Sequence, residues 1–218
     1  MVGCCSHKGV WRKAVLEFLI SGGPVMVPIG LASIVGLAAL LERAFALREA
    51  RIFPRGFSIE LDEMCRQERW GDAIALCRKH ESPAGRVVQT ALESRGHGRA
   101  EIKERLEEVG RREAAALERF SAVLGTVASI APLLGLLGTV WGMILTFEVI
   151  QQQGVGVVSS LAGGISQALI STMAGLTVGI PALVGHRWVL ARADALVLML
   201  EDLGLLVLEH LCPEEPSA

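Results

Sequence analysis

Phe120–Phe147 reads FSAVLGTVASIAPLLGLLGTVWGMILTF, an apolar run without one charged side chain, bounded by Arg119 and Glu148. A helix needs about 20 mostly apolar residues to cross a bilayer, and this run exceeds that length. Outward from it two more stretches have the same character. Val157–Gly185 (VVSSLAGGISQALISTMAGLTVGIPALVG) ends at His186-Arg187, and Pro24–Leu41 (PVMVPIGLASIVGLAALL) ends at Glu42-Arg43. The alternative, three buried helices of a soluble protein, fails on size: 218 residues leave too little other chain to cover them. The expected fold is all-α, an integral membrane protein with three transmembrane helices and long helices extending into a cytoplasmic helical domain.

Charge supports the same division. The chain is 51% hydrophobic with a net charge of -2, and its charges crowd into one segment. Arg48, Arg51, Arg55, Arg78, Lys79, Arg111, Arg112 and Arg119 lie between the first two spans, whereas QQQGVG (Gln151–Gly156) carries no base. Basic residues stay on the cytoplasmic side, so the long segment and the C-terminus are expected inside, with the N-terminus and the short turn periplasmic. The resulting segments are 1–22 with an interfacial amphipathic helix, span one at 23–46, a cytoplasmic domain at 47–118, and span two at 119–150. A periplasmic turn at 151–157, span three at 158–186 and a cytoplasmic C-terminal helix and tail at 187–218 complete them. Nucleic acid is excluded as a partner by the absence of a basic excess. Cys4, Cys5, Cys65, Cys77 and Cys212 have no C-x-x-C spacing, so no metal site is expected, and no cofactor motif occurs.

Within the cytoplasmic segment, Arg99–Phe120 places Ile102, Leu106, Val109, Ala116 and Phe120 at three- and four-residue steps, a helical period. With no breaker between Arg111 and Val127, this helix is expected to run into span two as one rod. Ser58–His80 reads as a helix broken in two at Gly71-Asp72 and ended by Ser82-Pro83.

The spans carry small and hydroxylated residues at helical spacing. Gly135, Gly138, Thr139, Gly142 and Thr146 share one side of span two; Gly164, Gln167, Ala168, Ser171, Thr172, Gly175 and Gly179 share one side of span three. Glycines permit close helix approach in lipid, so Gly135, Gly138, Gly142, Gly164, Gly175 and Gly179 are expected at helix contacts. Pro132 and Pro181 are expected to shape their helices. A threonine can satisfy itself on its own helix, but a carboxamide facing lipid is unfavourable, so Gln167 must face protein or a wet lumen. Thr139, Thr172 and Gln167 are the candidate pore-lining residues. No Asp, Glu, Lys, Arg or His lies mid-span, and proton relays in membranes use such groups at depth. A titrating group for proton flow would therefore come from another chain. H-E-x-x-H, G-x-S-x-G and the Walker phosphate loop are absent, and no enzyme is expected.

APLLGLLGTVWGMILTF (Ala131–Phe147) followed by GISQALISTMAGLTVGIPAL (Gly164–Leu183) resembles the second and third transmembrane helices of the ExbB/TolQ/MotA proton-channel family. Three spans bring it nearer ExbB and TolQ than the four-span MotA. The resemblance implies a homo-pentamer around two helices of an ExbD/TolR-like single-span protein, whose membrane Asp carries the ions. It also implies that Thr139 and Thr172 line the lumen near that Asp, and that the complex is an inner-membrane motor driven by the proton-motive force. ExbB and TolQ commonly have Glu where this chain has Gln167, which can hydrogen-bond a carboxylate or water but cannot exchange charge. The competing reading is a non-conducting helical membrane scaffold.

Overall fold

The computed structural model describes residues 21–54, 56–153 and 158–212. The expected interfacial helix of residues 10–20, the tip of the 151–157 turn and the tail beyond Cys212 lie outside the described residues. Eight helices and no β-strand occur among those described: α1 (Met26–Ala46), α2 (Glu49–Ile52), α3 (Phe57–Arg66), α4 (Trp70–His80), α5 (Pro83–Glu93), α6 (Arg99–Glu118), α7 (Ser121–Gln153) and α8 (Val158–Leu211). Three stretches are long and apolar enough to cross a membrane, and they coincide with α1, the α6–α7 stretch and α8. The protein is a multi-pass, all-α membrane protein. Two compact units are formed, Met1–Leu40 with Ala122–His186 and Leu41–Ser121 with Arg187–Ala218.

In the first unit α1 lies on the α7–α8 hairpin. Val25, Met26 and Ile29 are buried with Ala174 against Leu134 and Val178. Further along the hairpin, Val127, Ala128 and Ala182 close around Ala32 and Val178. The opposite faces are apolar and exposed, as at Ile34, Leu133, Leu169 and Val184. In water that surface would be costly; hydrocarbon is its natural solvent.

The second unit has an ordinary water-soluble core. Phe57, Leu61, Cys65, Cys77, Val88 and Ile102 are almost fully buried. So are Val189, Ala193, Leu196, Leu200, Leu203 and Val207 on α8, whose alternating steps of four and three make one continuous helical stripe. Ser82 starts α5, accepting the Gly85 N–H on its hydroxyl at 3.1 Å, with Pro83 in the first turn, where no backbone N–H is needed. Arg86 donates Nε and Nη2 to the two carboxylate oxygens of Glu113, both at 2.6 Å, and so fastens α5 to α6. That bidentate pair raises the Arg86 pKa above its already high value.

Three local expectations are corrected. The α3–α4 break falls at Gln67–Arg69, not at Gly71-Asp72, and Gly71 lies inside α4. There Glu68 adopts a left-handed backbone, its N–H donates to Cys65 O at 3.1 Å, and the Arg69 N–H donates to Met64 O at 2.9 Å. This is a Schellman ending whose usual glycine is a glutamate, so the sequence carries no glycine cue at that point.

The α6–α7 rod is interrupted at Arg119-Phe120, where Phe120 takes φ 65°. The cause is Arg43. Its buried guanidinium donates to the freed carbonyls of Leu117 (3.1 Å) and Ala116 (3.4 Å) and lies 5.4 Å from the Phe120 ring centre. Arg119 stacks on the same ring at 5.0 Å.

The buried face of α6 also differs, because Ala116 and Phe120 are exposed while Glu113 and Leu117 are buried. Position 113 continues the stripe of Ile102, Leu106 and Val109, and pairing with Arg86 satisfies the carboxylate that occupies it.

Candidate functional site

The α7–α8 hairpin is held at glycine-to-backbone distance. A methyl group added at Gly175 would stand 2.5 Å from Ala131 O and 2.9 Å from Gly135 Cα. One at Gly142 would stand 2.9 Å from both Ala168 Cβ and Gly164 O. Gly138 receives the Ser171 side chain, and Gly164 receives the Thr146 hydroxyl. Gly179 accommodates the Pro132 ring, with 2.6 Å from the added methyl to Cγ. Pro132 and Pro181 both sit inside helices. Each lacks an N–H and releases the carbonyl four residues back, those of Ala128 and Thr177.

Most span hydroxyls are turned onto backbone carbonyls. Thr139 donates to Leu136 O (2.6 Å), Thr146 to Gly142 O (2.8 Å), Ser171 to Ala168 O (2.8 Å) and Thr177 to Met173 O (2.7 Å). Thr172 differs, since its hydroxyl crosses between helices to Gly135 O at 3.1 Å and also approaches Ala168 O at 3.3 Å. Gln167 is half-buried, and its carboxamide lies on Gly23, with 2.9 Å from Gln167 Cδ to a methyl added there. Gly23 has φ +74° and must lack a side chain on both counts.

The three candidate lumen residues are therefore not gathered at one point of the subunit. Thr172 is engaged with α7, Gln167 reaches the chain just before α1, and Thr139 keeps to its own helix with its hydroxyl exposed. Sequence periodicity had no signal for Gly23, because its role comes from a contact 144 positions away in the chain, from 23 to 167.

Titratable side chains are confined to the ends of this unit. Glu148 and His186 are the only Asp, Glu, Lys, Arg or His among its described residues, and no group of three or more His, Cys, Asp or Glu able to hold a metal occurs among the described residues. His186 closes the membrane unit at the end of span three. Its ring lies on Gly125, with Cε1 and Nε2 each 3.1 Å from a methyl added there, and its Nδ1 is buried without a partner.

Comparison with known proteins agrees with the membrane hairpin. A sequence model of the MotA/TolQ/ExbB proton channel family matches residues 79–202, more than half of the chain. The chain belongs to this family. Biopolymer transport protein ExbB of Neisseria meningitidis serogroup A is 31% identical over 194 residues, covering 81% of this chain and 86% of the relative. The ExbB-like 3 protein of Synechocystis sp. is 30% identical over 167 residues, covering 76% and 80%. The Tol-Pal system protein TolQ of Haemophilus influenzae is 38% identical over 85 residues, covering 39% and 37%. The match to the MotA/TolQ/ExbB family takes in α5, α6, α7 and α8 as far as Asp202.

Proposed function

We propose that this chain is the channel and stator subunit of an inner-membrane motor driven by the proton-motive force, five copies enclosing an ExbD/TolR-like single-span partner that supplies a membrane Asp. Biopolymer transport, which appears in the names of its ExbB relatives, is the work we assign to it. The observation that carries the reading is the make-up of the membrane unit. A proton-channel family member whose described membrane unit holds ionisable side chains only near its ends, Glu148 and His186, needs its mid-membrane carrier from elsewhere. A partner carboxylate meets that need. Thr139, Thr172 and Gln167 are assigned to the lumen wall, and the periplasmic N-terminus, cytoplasmic 47–118 and 187–218 segments and periplasmic 151–157 turn belong to the same proposal.

The direct test is proton flux into liposomes from the purified ring, with and without the partner. Partner-dependent flux is expected; flux from this subunit alone, or none with the partner, overturns the mechanism. The bond from Thr172 to Gly135 and the glycine contacts favour one rival, a non-conducting scaffold in which the polar stripes serve helix packing. That rival predicts no flux under either condition. Labelling of single cysteines by a membrane-impermeant reagent in intact cells tests the topology: position 153 is expected to react and position 95 to be protected.

A further inference from the structure

The chain passes between its two units three times, at Leu40-Leu41, Ser121-Ala122 and His186-Arg187. Each passage is the end of an apolar span. Just inside the second unit, each is followed or preceded by an arginine and an aromatic residue within three positions of one another. The pairs are Phe45 with Arg48, Phe120 with Arg119, and Trp188 with Arg187, and all six residues are exposed. In two pairs the guanidinium lies over the ring, Arg48 at 4.7 Å from the Phe45 centre and Arg119 at 5.0 Å from that of Phe120. Stacking uses the face of a guanidinium and leaves its N–H edge free for an oxyanion.

Phe120 is the least expected of the three rings. It takes φ 65°, where a bulky side chain is strained, and 43% of it is still exposed. Core packing therefore does not call for an aromatic residue at the break, and strain kept without burial points to function. The charges around it are unequally used. Glu42 accepts two bonds from Arg43, at 2.6 and 2.7 Å, and Glu49 accepts one from Arg192 at 3.1 Å. Arg43 is further engaged with the Leu117 and Ala116 carbonyls. Arg48, Arg119 and Arg187, by contrast, have no carboxylate within 4 Å among the described residues.

We propose that Arg119 and Phe120, at the α6–α7 break, hold the headgroup of an anionic phospholipid. Arg119 takes the phosphodiester oxygens on its free edge, and the Phe120 ring enters the acyl boundary beside them. The other two pairs extend the same contact to the ends of α1 and of span three. The occupant is a lipid because these bases stand where apolar spans end. Arginine next to a span is drawn to anionic lipid, and an exposed ring suits that depth, whereas a soluble anion has no use for the ring. The inference rests on the membrane spans and not on the proton-channel reading.

The test is photo-cross-linking of the full-length protein in neutral bilayers that contain a trace of phosphatidylglycerol with a photoreactive headgroup. Peptide mass spectrometry maps the labelled residues. Labelling at 119–120 is expected well above that from phosphatidylcholine carrying the same group. Arg119→Gln should lower it about fivefold, the weight of one arginine at an anionic surface. Phe120→Gly, which suits the positive φ and so keeps the break, should lower it too. Arg111→Gln, at an exposed arginine about two turns before the end of α6, should not. Equal labelling by the two lipids overturns the proposal, as does unchanged labelling of Arg119→Gln or Phe120→Gly. An equal loss in Arg111→Gln refutes it in favour of diffuse attraction, and displacement by inorganic phosphate refutes it in favour of a free anion. If Arg119→Gln fails to fold, Phe120→Gly and the comparison of the two lipids on the unsubstituted protein decide. Proton flux has no part in the readout, so failure here leaves the proposed function standing.

Discussion

Gly175→Ala is the most direct probe of the hairpin, because the three atoms nearest its new methyl group are all backbone. The new Cβ would stand 2.5 Å from Ala131 O, 2.9 Å from Gly135 Cα and 3.0 Å from Gly135 N. Backbone inside two helices cannot swing aside as a side chain tip does. To restore ordinary contact, α7 and α8 must separate by roughly 0.5–1 Å, a gap that forfeits a quarter to a half of each dispersion well of about 0.1–0.2 kcal/mol. Over roughly 20–30 atom pairs along the stripe this amounts to about 1–2 kcal/mol. The Thr172–Gly135 bond, already 3.1 Å, would stretch as well and surrender about 0.6 kcal/mol. Against this, replacing a helical glycine by alanine returns at most about 1 kcal/mol.

The expected net loss is about 1–2 kcal/mol. Gly30→Ala is the control, since nothing lies within 4 Å of its added methyl, and it should be neutral or slightly stabilising. Reversible unfolding of both variants in mixed micelles, followed by helix circular dichroism, gives the two differences. Gly175→Ala within about 0.5 kcal/mol of the unsubstituted protein, or Gly30→Ala as damaging as Gly175→Ala, would refute the backbone-contact argument.

Thr172→Val keeps the side-chain shape and removes the interhelical bond. Stability should fall by about 0.6 kcal/mol in the same unfolding assay, while partner-dependent proton flux falls sharply if the hydroxyl also faces the lumen. Glu113→Ala strips Arg86 of both carboxylate bonds; with Glu113 buried and Arg86 half exposed, melting of the cytoplasmic helices should lose about 1–2 kcal/mol. Burial, with a smaller contribution from Cys65, pushes the Cys77 thiol up to about 12, and burial likewise raises Cys65. Both should resist alkylation at pH 8 in the folded protein while the partly exposed Cys212 reacts, as mass spectrometry of labelled peptides would show. Because the folded Cys77 pKa lies above its ordinary value near 9, the thiol favours the fold below pH 9, and that contribution is lost as pH climbs toward 12.

Composition and periodicity determine the all-α membrane fold. A long uncharged run has one physical meaning in a chain this short, and glycine at helical spacing announces close helix approach whatever its partner. The family is equally legible, since Ala131–Phe147 and Gly164–Leu183 are local strings. Tertiary structure decided whatever depends on residues distant in the chain. Arg43, remote from α6 in sequence, ends that helix by capping Ala116 and Leu117, and no property of Arg119-Phe120 alone foretells the break. Glu113 stands on the buried stripe of α6 although it is charged, and Arg86, from another helix, supplies the partner that makes this tolerable. Gln167 meets Gly23, Thr172 bonds Gly135, and His186 turns onto Gly125. In each case local sequence settles what a residue can do, but the partner that uses that capacity arrives from another helix and is chosen by packing.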